Sequence, residues 1–489
     1  MSGHKPLNVK FRFYFQNQRK YYETLVTLLR VKIQNQTTAN PMKQILLLAL
    51  CFFISAPFLQ AQERTITLEE AVQIALQNNF QLKQAENNLG LADTRVRSAQ
   101  ADFLPNLNAS FSGNRQVGRQ FVQEDLTFED RTTFGLNGGV NTSVTIFDGF
   151  TNISNLRRAQ ADKVSDELQL ERLRENIMFN TASRYLQVVL NEELLRISET
   201  TLEASMSQLE QVRAQVEVGA RPMVDLFNQE SAVANDELTL IQRENALEVS
   251  KAQLIRIMQD ESITDIATSM PAVDDLSLTP VNLNLQDLIN AALEMRRDLR
   301  SQEFDIESNR QTYRIARAQY LPTISASASV GARYSDQFTL LGESVSFSDQ
   351  FFDQNVTRTI GFNIQIPIFN RWNTRTNVEN AYVQLRNSEL QLDNVRFQIS
   401  EEVRQAYSDY QSIVKELEST EKSLRAAERA FETEQQRYEV GSSTLIELNL
   451  ANANFVQAQS NRIQAVYNFV FQEQLLDFFL GQLDTEMQF

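Results

Sequence analysis

Histidine and cysteine are almost absent from this chain of 489 residues, at one each. That scarcity excludes most transition-metal centres and any disulfide framework. Glycine (14) and proline (9) are also few for the length. With so few breakers the chain runs in long uninterrupted elements, which argues against an enzyme built on many loops. Positive charge is in deficit, with 46 Lys and Arg against 62 Asp and Glu and a net charge of −16. Nucleic acid is therefore not an expected partner, because phosphate binding needs a basic footprint. The composition that is present, 42% apolar and 22% charged, is that of a folded protein.

Residues 1–41 are basic, with Lys5, Lys10, Arg12, Arg19, Lys20, Arg30 and Lys32 against Glu23 alone. Met42-Lys43 then leads into an apolar run from Ile45 to Phe58, followed by Leu59-Gln60-Ala61. A short charged start, an apolar core and a small residue before the cut describe a secretory signal. The run is too short to span a bilayer as a helix. Residues 42–61 are thus expected to be a signal peptide, and 1–41 an upstream extension or mis-assigned start. Cys51 follows Leu50, where a lipoprotein site would want a small residue, so cleavage after Ala61 is expected rather than acylation. Residues 1–61 hold eight of the 46 basic residues and one of the 62 acids, so residues 62–489 carry −23. They contain no His and no Cys. An acidic, cysteine-free exported chain fits a Gram-negative envelope.

The chain is duplicated. Ala99 to Pro105 (AQADFLP) aligns with Ala316 to Pro322 (ARAQYLP) at an offset of 217. At an offset of 222, Ile146-Phe147 aligns with Ile368-Phe369, Tyr185 with Tyr407, and Glu217-Val218-Gly219 with Glu439-Val440-Gly441. This predicts two repeats, 62–260 and 282–489, joined by a linker over 261–281 marked by Pro271 and Pro280. Each repeat opens with a helix, the first from a Thr67–Glu70 capping box to Phe103 and the second from Leu285 to Tyr320.

Two strands follow in each repeat, at about 106–117 and 132–147 and at about 322–334 and 356–369. Their apolar and polar residues alternate, so each strand has one apolar face and one face of Ser, Thr, Asn and Gly. A polar face so poor in charge, on strands about ten residues long, suits a transmembrane barrel better than a water-soluble sheet. The loops near 118–131 and 335–354, acidic and aromatic, would face outside. Next come stretches of 151–218 and 373–440 with neither Pro nor Gly, expected to be helices of about 100 Å. Val403, Ala406/Tyr407, Tyr410, Ile413/Val414 and Leu417 recur at coiled-coil spacing. Return helices are expected over 222–259 and 444–480. Four strands cannot close a barrel, and an open edge cannot stand in lipid, so the chain must oligomerise.

This order of signal, helix, strand pair and long helical hairpin, all repeated, resembles the TolC family of outer-membrane efflux proteins over essentially all of 62–489. The residues that carry the resemblance are Leu104-Pro105 and Leu321-Pro322 before the strands, Ile146-Phe147-Asp148-Gly149 and Ile368-Phe369-Asn370 after them, and Val218-Gly219 and Val440-Gly441 at the turns. The resemblance implies a mainly α fold with a transmembrane β-barrel portion. It implies a homotrimer whose twelve-stranded barrel, set in outer-membrane lipid, continues into an α-helical periplasmic tunnel. A periplasmic adaptor (membrane fusion protein) and an inner-membrane pump of RND or ABC type would dock at the tunnel tip, in an efflux or type I secretion system. Pro105, Phe147, Pro322 and Phe369 would mark the barrel–helix junctions. Val218, Gly219, Ala220, Arg221, Val440, Gly441, Ser442 and Ser443 would form the tip turns that meet the adaptor.

The turn residues also have a local explanation. Gly219 and Gly441 suit left-handed helix caps, Pro222 can begin a helix, and Thr444 with Glu447 forms another capping box. In the family, a tyrosine before the second-turn glycine can bond the acid after the first turn and latch the tip. Here these are Tyr438 and Asp225. The arginine expected two positions after Gly441 is Ser443, and a second acid expected after Glu447 is Leu450, so a doubled acidic ring with a basic lock is in doubt. Glu447 from each subunit could still form one ring, favouring cations.

No P-loop, no GxSxG and no metal or cofactor motif is present, and the chain is not expected to be an enzyme. The rival reading from another class is a periplasmic coiled-coil adaptor or interaction protein, which would not need four lipid-suited strands.

Overall fold

A computed structural model describes residues 64–122, 126–269, 278–340 and 343–483. The expected signal peptide and upstream extension lie outside the described residues. In chain order the elements are β1 (Arg64–Ile66), α1 (Leu68–Asn78), α2 (Phe80–Ala101), β2 (Asn106–Val122), β3 (Thr127–Phe147), α3 (Thr151–Glu217) and α4 (Met223–Met258). They continue with β4 (Ile266–Thr268), α5 (Leu285–Met295), α6 (Arg297–Ala318), β5 (Thr323–Ser335), β6 (Thr339–Leu340) and β7 (Glu343–Ser344). A short helix α7 (Phe347–Asp349), prolonged as a π-helical turn over Gln350–Gln354, leads to β8 (Thr357–Gln365), α8 (Asn373–Glu439) and α9 (Leu445–Leu480).

The opening helix of each repeat is two helices, not one. Asn79 leaves the helical region (ψ 120°) and its Oδ1 accepts from Gln81 N and Leu82 N at 2.9 and 3.1 Å. A buried Asn thus ends α1 and caps α2 without breaking the apolar spacing. Arg296 does the same in the second repeat (ψ 125°) without a side-chain cap. The segment expected to be a linker also contributes a strand, since β4 pairs in parallel with β1. Tyr185 clamps this ribbon, its hydroxyl donating to Ile66 O at 2.9 Å and accepting from Ser269 N at 3.0 Å.

The four long strands form one antiparallel sheet in the order β2-β3-β5-β8. The register places Leu107, Thr142, Ala328 and Ile360 side by side, then Ala109, Val140, Val330 and Arg358. One face is therefore apolar across the strands, and the other carries Ser110, Asn137, Asn141, Ser327 and Asn363. The apolar face is bare, with Ile360 81% and Phe362 74% exposed. Two details depart from simple alternation. A bulge between Thr145 and Phe147 puts Phe147, not Ile146, opposite Ile324 on the apolar face. β8 stops at Gln365 rather than running on to Phe369, because Pro367 cannot donate to a ladder.

Helices α3 and α8 have 67 residues each, about 100 Å of helix, and pair with α4 and α9 as two hairpins. On α8 the buried residues Ile399, Val403, Ala406, Tyr410 and Ile413 recur at steps of four and three, a coiled-coil seam. Two related cores follow. The first includes Tyr185, Leu247 and Leu254, and the second Phe469 and Leu476, which stand 222 residues beyond Leu247 and Leu254. The repeats lock together through buried charge. Glu175 pairs with Arg172 at 2.9 Å and with Arg297, while Arg296 pairs with Asp298 and Glu402. The Arg172 guanidinium stacks over Phe478 at 4.1 Å. Burial, and next the charge of Arg296, lower its pKa to about 10.

Candidate functional site

The hairpin turns are built twice from one design. At the end of α3, Gly219 has φ +75°, its N–H reaches Val216 O at 2.9 Å, and Ala220 N reaches Gln215 O at 2.8 Å. At the end of α8, Gly441 has φ +74°, with Gly441 N to Tyr438 O at 3.0 Å and Ser442 N to Arg437 O at 2.8 Å. Both are paired 6→1 and 5→2 closures that need a left-handed residue, hence glycine. Nothing lies within 4 Å of where a Cβ would sit on either. Backbone conformation alone therefore selects Gly here.

Capping on the far side differs between the repeats. Pro222 is the N-cap of α4, and Asp225 lies in its first turn. Thr444 and Glu447 close a reciprocal capping box on α9, with Glu447 N donating to Thr444 Oγ1 at 3.3 Å and Thr444 N to Glu447 Oε2 at 2.8 Å. The backbone bond from Thr444, then the hydroxyls of Ser443 and Thr444, hold the Glu447 carboxyl below its ordinary range. Ser443 Oγ stands 2.7 Å from Glu434 and 2.9 Å from Glu447. Its single proton serves one carboxylate at a time.

Tyr438 is buried with Val212, Leu445 and Leu448 in a small core that joins the two hairpins just behind the turns. The structure does not join Tyr438 to Asp225 by a hydrogen bond. The Tyr438 hydroxyl and Gln208 Nε2 are both buried and make no well-formed hydrogen bond, although the two lie near enough for Gln208 to favour the ionised hydroxyl slightly. Burial raises the Tyr438 hydroxyl above its ordinary pKa. Arg221 stands between the expected partners, its guanidinium 4.2 Å from the Tyr438 ring centroid and its Nη1 3.8 Å from Asp225 Oδ2. A second cross-hairpin tie runs from Asn449 Nδ2 to Gln229 Oε1 at 3.0 Å, and Gln229 Nε2 donates to Ser205 O at 3.0 Å.

The turns also expose apolar side chains in repeat-related pairs. Val218 and Val440 are 80% and 79% exposed, and Val224 and Ile446, also 222 residues apart, are exposed as well. Val224 and Ile446 fall in the aligned turn segments but were not among the expected contact residues. Their signal was available as a second apolar pair at the same offset, five residues after each glycine.

At the other end of the long helices, Pro105 and Pro322 stand between helix and strand. Phe147 and Phe369 lead out of the sheet, Phe147 packing edge-on to Phe150 at 5.4 Å. Both junctions use two consecutive left-handed residues, Gly149-Phe150 (φ +70° and +71°) and Arg371-Trp372 (φ +56° and +64°). A side chain at Gly149 would meet Ala318 O at 2.8 Å. Phe150 and Trp372 were not legible as left-handed residues, because neither type favours that region. Among the described residues there is no cluster of His, Cys, Asp and Glu that could hold a metal, and no helix long and apolar enough to cross a membrane.

The sequence model of the outer membrane efflux protein family matches residues 71–258 and 288–482. The chain belongs to that family. It is 26% identical over 319 residues to the solvent efflux pump outer membrane protein SrpC of Pseudomonas putida, covering 63% of each chain. It is 24% identical over 334 residues to the pyoverdine export outer membrane protein OpmQ of Pseudomonas aeruginosa, covering 64% of each. The chain thus spans slightly under two thirds of the length of these relatives. Among solved structures it superposes on the Campylobacter jejuni CmeC outer membrane channel with a TM-score of 0.75 and 19% identity, covering 86% of this chain and 87% of that one. The open state of the Neisseria gonorrhoeae MtrE outer membrane channel gives 0.71 and 17%, covering 86% and 91%. The family is one of outer membrane efflux proteins, and the fold is that of the outer membrane channels on which the chain superposes.

Proposed function

We propose that the chain, as two repeats over 62–260 and 282–489, is one third of a homotrimeric exit duct. Its twelve-stranded barrel sits in outer-membrane lipid, and its hairpins form the periplasmic tunnel of an efflux or type I secretion system. The observation that carries this is the four-stranded sheet. Its outer strands β2 and β8 each keep one edge unpaired among the described residues, and one face is apolar and largely bare. Unpaired backbone in hydrocarbon costs several kcal/mol per group, so further copies must close the ring. Eight strands would fill with side chains, whereas twelve leave a lumen. Each copy supplies four strands and four long helices, so barrel and tunnel walls match in number.

The paired apolar turns, Val218 with Val224 and Val440 with Ile446, suit a periplasmic adaptor that leads to an inner-membrane pump. Asp225, Tyr438 and Glu447 lie beside them as the pore gate. Relatives are named for solvent, toluene, antibiotic and pyoverdine export, and the duct is read as passive, with selection made by the pump. The test is fractionation with electrophoresis. A heat-modifiable trimer extracted by detergent from the outer membrane, crosslinked through the tip to a periplasmic hairpin protein, is the expected result. Recovery as a soluble or inner-membrane species would favour the adaptor reading instead.

A further inference from the structure

We propose that the helical segment 347–354 is an interfacial anchor that lays Phe352 among the acyl chains at the outer rim of the membrane. The proposal rests on the reading of the sheet as a barrel wall. The segment could have projected into water with the rest of its loop. Instead it folds back onto the apolar face. Phe351 packs against Phe111 with centroids 6.2 Å apart and occupies the space above Gly138, where its ring lies 2.6 Å from a would-be Cβ. Phe347 meets Tyr334 edge-on at 5.2 Å. Phe111, Gly138 and Tyr334 all belong to the apolar face by register.

The fold-back is pinned. Gln350 is 1% exposed, its Nε2 donates to Ser335 O and Val345 O at 3.0 and 2.8 Å, and its Oε1 accepts from Ser335 N at 3.0 Å. A buried carboxamide with both ends satisfied fixes the helix against the end of β5. Phe352 is then left 71% exposed beside this cluster.

Two observations select lipid as the occupant rather than another copy of the chain. The contacts lie on the apolar face of β2, β3 and β5, whereas another copy would extend the sheet by backbone pairing in its own plane, at the free edges of β2 and β8. The segment also stands at the height where a bilayer would end. From Ile324 to Tyr334 β5 rises about 33 Å along its length, or about 25 Å along the axis of a barrel with ordinary strand tilt. That is the usual height of the apolar band, and aromatic girdles bound such bands at both rims. Phe147, Phe369 and Trp372 mark the inner rim, and the segment 347–354 marks the outer one. Within the band the apolar face carries a single charge, Arg358 near the outer end of β8, whose long stem can carry its head to the rim, while Arg333 lies on the polar face.

The test uses the full chain, with the sole tryptophan removed by Trp372→Phe and a single indole restored by Phe352→Trp or, at mid-band, by Phe362→Trp. Each variant is reconstituted in phosphatidylcholine vesicles with bromines at defined acyl depths. The expected result is quenching of both indoles by about twofold or more, strongest for shallow bromines at position 352 and for deep bromines at 362. Quenching at 362 with none at 352, and with 352 open to acrylamide, overturns the anchor and leaves the barrel reading standing. An indole at 352 shielded from both bromolipid and acrylamide also overturns it, in favour of contact with another copy. Absence of quenching at both positions overturns the anchor and the barrel reading together. Retention of the heat-modifiable oligomer by each variant shows that it has folded.

Discussion

With the turns gating the duct as proposed, removing the guanidinium at the tip should open it, whereas removing the tyrosine hydroxyl should not. Arg221 over the Tyr438 ring is a partly desolvated cation–π contact, worth about 1–2 kcal/mol. Its ion pair with Asp225, at 3.8 Å and partly exposed, adds about 0–1 kcal/mol. Arg221→Ala should therefore cost the closed tip about 1–3 kcal/mol per subunit. If three subunits open together, the closed state loses about 3–9 kcal/mol, at least a hundredfold in the opening equilibrium. Tyr438→Phe keeps the ring and deletes a hydroxyl that is buried without a well-formed hydrogen bond, so it should be neutral or slightly stabilising. Tyr438→Leu should behave like Arg221→Ala. Single-channel recording in planar bilayers reads both conductance and open probability. A Tyr438→Phe channel that opens as readily as Arg221→Ala would refute the reasoning and restore a hydroxyl-to-Asp225 latch.

Three further outcomes follow from the geometry. Gly441→Ala should cost about 1–2 kcal/mol from backbone strain alone, since no atom crowds the site, and Gly441→Asn should cost less; thermal melting compares them. Glu175→Ala leaves Arg172 with only Asp298, 4.0 Å away, and deprives the partly exposed Arg297 of its carboxylate, so it should lower stability by about 2–3 kcal/mol, measured by denaturant titration. Glu473 is pushed up to about 7, by burial and then by the charge of Asp477. The folded state therefore keeps its proton while the unfolded state has lost it, and stability falls as pH rises from about 4.5 to 7. Glu473→Gln should raise the melting temperature at pH 8 and leave it unchanged at pH 4, the gain being about 2 kcal/mol after allowance for solvent. An equal gain at both pH values would show that charge is not the cause.

The strands were legible because apolar and polar residues alternate at a period of two, and the long helices because nothing interrupts 151–218 or 373–440. Their ends were less so. Asn79 and Arg296 break helices whose apolar spacing runs straight through the break, so periodicity could not reveal them. The bulge at Thr145–Phe147 moves one aromatic ring across the sheet, a change that depends on the partner strand β5 and has no local mark. At the tip, the family resemblance implied a tyrosine–aspartate bond. The packing of α3 against α9 around Tyr438 instead placed Arg221 over its ring, and no pattern within either turn contains that information.

The sequence by itself determined the duplication, the long helices, the existence of the four strands, the apolar face of the sheet and the glycine turns, because each depends on chemistry within a few residues or on comparison of the chain with itself. Only the tertiary structure decided which charges face one another across the repeats, how Arg221 divides itself between Tyr438 and Asp225, and that the segment 347–354 folds back onto the apolar face. Those outcomes depend on distances between residues far apart in the chain, which no local preference encodes.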